Sequence, residues 1–111
     1  MALSLVHTPA DGHDAWTLSG RLDAAAEADF RATFAEARPG ALLLDLSGVV
    51  FIDSKGLGLL AWLTRTRLAA GGRVVLCGAR GYLRDAMERV RLHEVVDLLD
   101  DRAAAIAWLQ H

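Results

Sequence analysis

The sequence is poor in cysteine. Cys77 is the only one in 111 residues, which excludes an internal disulfide and a cysteine-based metal site. A lone cysteine fits a reducing compartment, so we expect a cytoplasmic protein in which Cys77 is a buried strand residue and not a redox centre. Lysine is equally scarce, with Lys55 alone beside eleven arginines. That bias, together with abundant alanine and glycine, indicates a GC-rich bacterial genome.

Long apolar runs are absent as well. The first seven residues lack the charged region and the apolar stretch of a signal peptide. No window reaches the roughly 18 uninterrupted apolar residues of a membrane span. We therefore expect neither a leader peptide nor direct insertion into a membrane.

Neither sign of charge dominates. Twelve basic and 14 acidic residues give a formal net charge of −2, and the two kinds are mixed throughout. There is no basic stripe of the kind that nucleic acids require, so we expect no nucleic-acid partner. The histidines fall on different predicted elements without ligand spacing, which predicts surface or edge positions and no metal site. They are His7, His13, His93 and His111.

Nucleotide-binding fingerprints are also missing. Gly56-Leu57-Gly58 lacks the third glycine of a dinucleotide loop, and no Gly-Lys-Ser/Thr sequence exists for a P-loop. No nucleophile with a base and an orienting group stands out, so we expect no cofactor and no enzyme activity. The chain has 53% apolar and 23% charged residues, which indicates one compact domain over residues 1–111.

Hydrophobic periodicity divides the first forty residues into a hairpin and a helix. Residues 2–7 and 15–19 alternate in polarity around turn chemistry at Pro9-Ala10-Asp11-Gly12, which predicts an antiparallel hairpin that ends at Gly20. A stripe at helical spacing then predicts a first helix with Asp23 as its N-cap and a stop at residues 38–40. The stripe consists of Ala26, Phe30, Thr33, Phe34 and Ala37.

Strands and helices alternate in the remainder. Residues 41–46 and 73–78 are apolar runs typical of buried strands, and residues 47–52 are predicted to be a loop. Helices are predicted from residue 54 to about 70, over 82–91 and from a cap at Asp100 or Asp101 through Trp108, with a short edge strand at Val95-Val96. This order predicts an α/β domain with a mixed, mostly parallel sheet, an N-terminal antiparallel hairpin and about four helices.

The segment from residue 45 to residue 60 carries the chemistry. It reads as a buried strand, a loop, and a helix whose first turn contains Ser54 and two glycines. Asp53 or Ser54 can cap that helix, and such a pair is most often only a cap. The electropositive helix start would also favour a phosphate on Ser54, which Lys55 could partly neutralise. A glycine in the first turn of a helix lowers the stability of that helix by about 1 kcal/mol relative to alanine. Two glycines so close together therefore predict that another backbone, or another protein, approaches the helix closely there.

The second helix presents two apolar stripes. Leu57, Leu60, Ala61, Thr64 and Leu68 are predicted to face the sheet. A second stripe lies on an adjoining side and is predicted to be covered by a neighbouring helix. The alternative is that two of its members form part of a partner-binding patch, because exposed aromatic residues make good anchors. These two are Leu59 and Trp62.

Two motifs resemble those of STAS domains (sulphate transporter and anti-sigma-factor antagonist). The first is Asp45-Leu-Ser-Gly-x-x-Phe51-x-Asp53-Ser54-x-Gly56-Leu57-Gly58, and the second is Gly20-Arg21-Leu22-Asp23. The resemblance implies that Ser54 is phosphorylated by an anti-sigma-factor kinase, that Asp53 assists recognition, and that both motifs form the docking surface. The partner-binding residues implied in this way are Gly20, Arg21, Leu22, Asp23, Asp53, Ser54, Lys55, Gly56 and Leu57, and the patch on the second helix adds Leu59 and Trp62.

Two functions follow from this resemblance. In the first, the chain is an anti-sigma-factor antagonist that binds a cognate serine kinase and is switched off by phosphorylation at Ser54. In the second, it is a non-phosphorylated adaptor of an ABC lipid-transport complex, bound to the ATPase, or part of a stress-sensing assembly. Lys55 departs from the antagonists, which often carry a second small hydroxyl residue there, and its charge could change kinase acceptance or exclude phosphorylation.

Overall fold

The computed structural model describes residues 1–9, 12–36 and 38–110, and in these ranges five strands form one mixed sheet. The strands follow each other in space in the order of the chain, with β1 antiparallel to β2 and every later neighbour parallel. They are β1 Ser4–His7, β2 Asp14–Leu22, β3 Ala41–Ile52, β4 Arg73–Cys77 and β5 Asp97–Leu99. The predicted hairpin and the predicted α/β class are confirmed.

Four α-helices complete the described part of the chain. They are α1 Glu27–Thr33, α2 Ser54–Ala69, α3 Gly81–Arg89 and α4 Arg102–Leu109, with short 3-10 turns at Ala24–Ala26 and Leu92–Glu94. Asp101 caps α4, as predicted, by accepting a hydrogen bond from the Ala104 N–H at 2.8 Å. The predicted hairpin turn at Ala10 and Asp11, the last stripe position at Ala37 and the histidine at 111 lie outside the described residues.

The core lies on both faces of the sheet. Side chains alternate along β3, so Leu42 and Leu44 enter the larger cluster beneath α1, α2 and α3, while Leu43 enters a smaller cluster beneath α4. Cys77 belongs to the smaller cluster, which confirms its predicted place in a buried strand. Burial raises the pKa of its thiol to about 12, so the thiol stays protonated at neutral pH.

Residues 47–52 are not the predicted loop but the second half of β3. This half pairs with β2, which itself runs past the predicted stop at Gly20 to Leu22, opposite Ile52. Two irregularities in register break the alternation that would have revealed the strand. At one of them β2 and β3 approach so closely that a Cβ on Gly48 would lie 2.7 Å from the Ser19 Cβ.

The second half of β3 has a strand neighbour on the β2 side alone among the described residues, because β4 pairs with β3 only as far as Asp45. The Tyr82 hydroxyl of α3 occupies the other edge. It accepts a hydrogen bond from the Ile52 N–H at 2.8 Å and donates to the Val50 carbonyl at 3.5 Å. A side chain therefore replaces the missing strand at this edge.

Two further predictions are wrong in detail. The short edge strand is Asp97–Leu99 and not Val95-Val96, because the 3-10 turn at Leu92–Glu94 delays its start and leaves Val95 58% exposed. On α2 the predicted sheet-facing stripe is displaced. Apart from Leu60 and Thr64 its members are exposed or half-buried, and the buried positions include others. The buried residues of α2 are Gly56, Leu59, Leu60, Leu63, Thr64 and Arg67.

Candidate functional site

Ser54 is the first residue of α2 and its side chain is exposed. The helix cap is Asp53, whose carboxylate accepts a hydrogen bond from the Gly56 N–H at 2.9 Å. Of the two predicted cap candidates the structure thus selects Asp53. The Ser54 hydroxyl therefore does not cap its own helix, and it is accessible to another molecule.

Lys55 turns towards α1. Its Nζ lies 3.3 Å from both carboxylate oxygens of Glu27, and the Arg31 Nε donates to the same carboxylate at 2.9 Å. The hydrogen bonds from Arg31 and then from Lys55 lower the pKa of Glu27 below its ordinary value. Lys55 is therefore already paired with Glu27. A phosphate on Ser54 would have to compete with the Glu27 carboxylate for the Lys55 ammonium group.

The two motif segments meet at the start of α2. β2 ends beside the last residues of β3, and a Cβ on Gly56 would collide with the Leu22 carbonyl oxygen and would lie 2.8 Å from the Ile52 Cγ1. This contact is the close backbone approach predicted for the glycines. Gly58 differs, because a Cβ there would meet no described atom within 4 Å.

In the Gly20-Arg21-Leu22-Asp23 motif, Arg21 is exposed and Asp23 is half-buried. The Arg21 guanidinium lies 4.0 Å from the centre of the Phe51 ring, and its Nε donates to the Asp23 carboxylate at 3.2 Å. Asp23 stands at the N-cap position of the 3-10 turn, but its side chain makes no capping hydrogen bond. The predicted role of Asp23 as a side-chain cap is therefore wrong, since the carboxylate is engaged by Arg21 instead.

Two members of the predicted partner surface are wrong as contact residues. The side chains of Leu22 and Leu59 are both 0% exposed, because they pack into the larger core cluster and no partner could reach them. Gly20 and Gly56 are also buried, and Gly20, at a φ of +93°, lies against the Ala2 backbone. These two glycines shape the backbone of the surface without adding side-chain area to it.

Trp62 is half-buried beneath α1 and not fully exposed. Its ring packs edge-on against Phe30 at a centroid distance of 6.3 Å, and the Arg31 guanidinium lies 4.8 Å above it. The neighbouring helix predicted to cover this side of α2 is therefore α1. The partly covered ring leaves Trp62 at the rim of the surface around Ser54.

An apolar groove of about 530 Å³ runs beside Ser54, and we call it the Ser54 groove. One wall is the exposed side of α2, and the other is the end of α3 and the turn after it. Val90 and Val95 on that second wall are 54% and 58% exposed. Val90 is exposed although it lies on the same helical side as Leu83 and Met87, because the chain turns at Arg91, whose φ is +60°. The groove-lining residues are Ser54, Leu57, Gly58, Ala61, Arg65, Val90, Arg91, Leu92, Glu94 and Val95.

The described residues contain neither a metal-binding cluster nor a helix able to span a membrane. No group of three or more histidine, cysteine, aspartate or glutamate side chains in these ranges is arranged to hold a metal ion. Within the same ranges, none of the helices combines the length and the apolar character that crossing a bilayer requires.

Comparison with known proteins gives consistent matches. The family model described as Mlab, STAS domain, matches residues 7–100. The crystal structure of an anti-sigma factor antagonist from Mycobacterium paratuberculosis is 26% identical over 99% of this chain and 96% of its own, with a TM-score of 0.82. The unphosphorylated form of the anti-sigma factor antagonist SpoIIAA is 21% identical over 98% of each chain, with a TM-score of 0.69.

A transporter contains a similar unit. The murine Slc26a9 anion transporter in the inward-facing state is 19% identical over 98% of this chain but only 22% of its own, with a TM-score of 0.78. No curated protein matches the chain. At these identities the likeness to SpoIIAA and to the transporter concerns the fold alone.

Proposed function

The chain belongs to the STAS domain family, and on that premise we propose that it is an anti-sigma-factor antagonist that binds a serine kinase of the anti-sigma type and is released when Ser54 is phosphorylated. One observation carries the proposal: the Ser54 hydroxyl is exposed at the start of α2 while Asp53 caps the helix. A kinase can modify that hydroxyl without removing a structural hydrogen bond. The similarity to the mycobacterial antagonist supports the same function.

Phosphate at this position would change binding and leave the fold intact. It adds nearly two negative charges beside Asp53, at a helix start that tolerates anions. Arg31 and Arg65 line a shallow surface depression together with Ser54, so two cations lie near the added charge. We therefore expect phosphorylation to alter the charge at the mouth of the Ser54 groove, which weakens a complex that buries it.

The surface of this chain that contacts the kinase would combine charged motif residues, exposed or half-buried, with the Ser54 groove. Arg21, Asp23, Asp53 and Lys55 provide charged groups of both signs around Ser54, while the groove supplies apolar area for a partner side chain. Catalysis needs no residue of this chain, because a kinase brings its own ATP and Mg²⁺. The chain acts as substrate and ligand.

A second candidate is the adaptor function, in which the chain docks on an ABC-transporter ATPase and is not phosphorylated. The match to the family model described as Mlab favours it. Because Asp53 provides the cap, Ser54 would then have no role in either stability or binding.

The deciding experiment is recovery of the partner from the native organism with a tagged chain, followed by mass spectrometry. Ser54→Ala and Ser54→Asp are compared with Ser4→Asp, which adds the same charge at an exposed serine of β1. On the antagonist function a serine kinase is recovered, and only Ser54→Asp loses it, by at least tenfold. Recovery of an ATPase without a kinase, equally well by all variants, would establish the adaptor function instead.

A further inference from the structure

A second cavity lies at the far end of α2. Arg67, which lines it, is 13 residues beyond Ser54, or about 20 Å along the helix axis. The cavity has a volume of about 400 Å³ and is enclosed by the start of β2, the end of α1 and the segment that follows α1. The lining residues that matter are His7, Asp14, Trp16, Phe34, Arg38 and Arg67.

Arg67 is a buried cation with few partners. Its side chain is 5% exposed, and its Nε has no hydrogen-bond partner in the described part of the chain. Nη1 donates to the Arg38 carbonyl at 3.4 Å, whereas Nη2 lies 4.0 Å from the nearest Asp14 oxygen, beyond hydrogen-bond distance. Burial lowers the pKa of the guanidinium, but arginine remains charged at neutral pH. A buried charge with so few partners destabilises the protein unless something compensates it.

The other charged groups of the cavity have hydrogen-bond partners of their own. The Asp14 carboxylate lies 2.9 Å from the His7 Nε2, and the Arg38 guanidinium donates to the Glu36 carboxylate at 3.0 Å. Asp14 therefore offsets the charge of Arg67 only across 4.0 Å, and the Arg67 Nε makes no hydrogen bond within the described residues. The cavity thus offers a guanidinium whose charge is offset at a distance and whose donors are only partly used.

Aromatic side chains form one wall. The Trp16 ring packs edge-on against Phe34 at 5.4 Å and lies 4.8 Å from the His7 ring, with the three rings in a row. Phe34 is buried and Trp16 is half-buried, so the wall is held in place by the core. A ligand that combines a negative group with a flat apolar body would match both the wall and Arg67.

We propose that this cavity binds a small organic carboxylate, with its charged end on Arg67 and its apolar body along Trp16 and Phe34. The planar guanidinium matches the two oxygens of a carboxylate better than it matches a spherical anion. The site is separate from Ser54 and does not depend on the function proposed for that serine. It would give the domain a small-molecule input distant from its docking surface.

The test is a titration of the ¹⁵N-labelled chain with sodium benzoate at constant ionic strength, followed by NMR. Saturable shifts are expected at the Trp16 indole N–H and at the Arg67 Nε–H, and acetate should bind more weakly. Arg67→Met should weaken benzoate binding at least tenfold. Arg65→Met removes an exposed charge from the same helix outside the cavity, and it should leave the affinity unchanged.

A second variant covers the case in which Arg67→Met does not fold. Ala35→Glu places a carboxylate on an exposed residue of the cavity wall, and it should abolish benzoate binding without touching the core. The proposal is overturned if benzoate produces no saturable shift up to 50 mM, roughly fifty times a dissociation constant near 1 mM. It is also overturned if either cavity variant binds as the wild type does, or if inorganic phosphate binds more tightly than benzoate.

Discussion

Gly56 and Gly58 form a matched pair for testing how the start of α2 is held. A methyl group on Gly58 would meet no described atom within 4 Å, so Gly58→Ala should gain helix propensity and stabilise the protein by about 1 kcal/mol. A methyl group on Gly56 would collide with the Leu22 carbonyl and press on Ile52. Since such overpacking costs about 1–3 kcal/mol, we expect Gly56→Ala to be destabilising by about 1 kcal/mol after its own propensity gain.

Urea unfolding at equilibrium measures both variants. The two free energies of unfolding should differ by about 2 kcal/mol, which corresponds to roughly 8 °C in melting temperature for a domain of this size. The wild type should fall between them. If Gly56→Ala proves as stable as Gly58→Ala, the close packing of α2 against the end of β2 is refuted. Gly58→Ala also narrows the Ser54 groove, so it should weaken partner binding although it stabilises the fold.

Three other perturbations have defined outcomes. Asp53→Ala should lower the free energy of unfolding by about 1 kcal/mol because it removes the cap, whereas Ser54→Ala should change it by less than about 0.5 kcal/mol. Equal effects of the two variants in a urea titration would contradict the assignment of the cap to Asp53. Leu59→Ala should lower the free energy of unfolding by about 2–5 kcal/mol because Leu59 is buried, and Leu57→Ala should lower it clearly less. The reverse order in thermal melts would mean that α2 is rotated about its axis. Cys77 should react with a thiol reagent only after unfolding, and rapid labelling of the native protein at pH 8 would show that its strand opens.

The order of the elements could be predicted because their patterns are local. Alternation identified the first hairpin, and turn glycines after residue 70 ended α2 where the structure ends it. The second half of β3 could not be predicted, since it is paired on one side only and its alternation is broken by irregular register with β2. The prediction of which side of α2 faces the sheet was wrong for another reason. The helix is apolar around much of its circumference, so periodicity alone did not decide which side faces the sheet.

In the candidate site, too, features set by neighbouring residues could be predicted, whereas features set by tertiary packing could not. Asp53 could be predicted as a cap because capping depends on residues within one turn. The partner of Lys55 is Glu27, 28 residues earlier in the chain, and only the packing of α1 against α2 brings them together. The exposed valines of the Ser54 groove also escaped prediction. Val90 continues the apolar stripe of α3, and the left-handed backbone at Arg91 is what turns the chain there.

Tyr82 has a consequence for how this protein behaves at high concentration. The five residues before Asp53 are a glycine followed by Val49-Val50-Phe51-Ile52, an uncharged stretch of high β-propensity of the kind that nucleates intermolecular β-sheets. Among the residues that the structure describes, the Tyr82 hydroxyl alone closes one edge of that stretch. Loss of that hydroxyl in Tyr82→Phe would leave the N–H of Ile52 free to pair with the same segment of another molecule. The residue that closes the strand next to Ser54 thus also acts as a gatekeeper against aggregation.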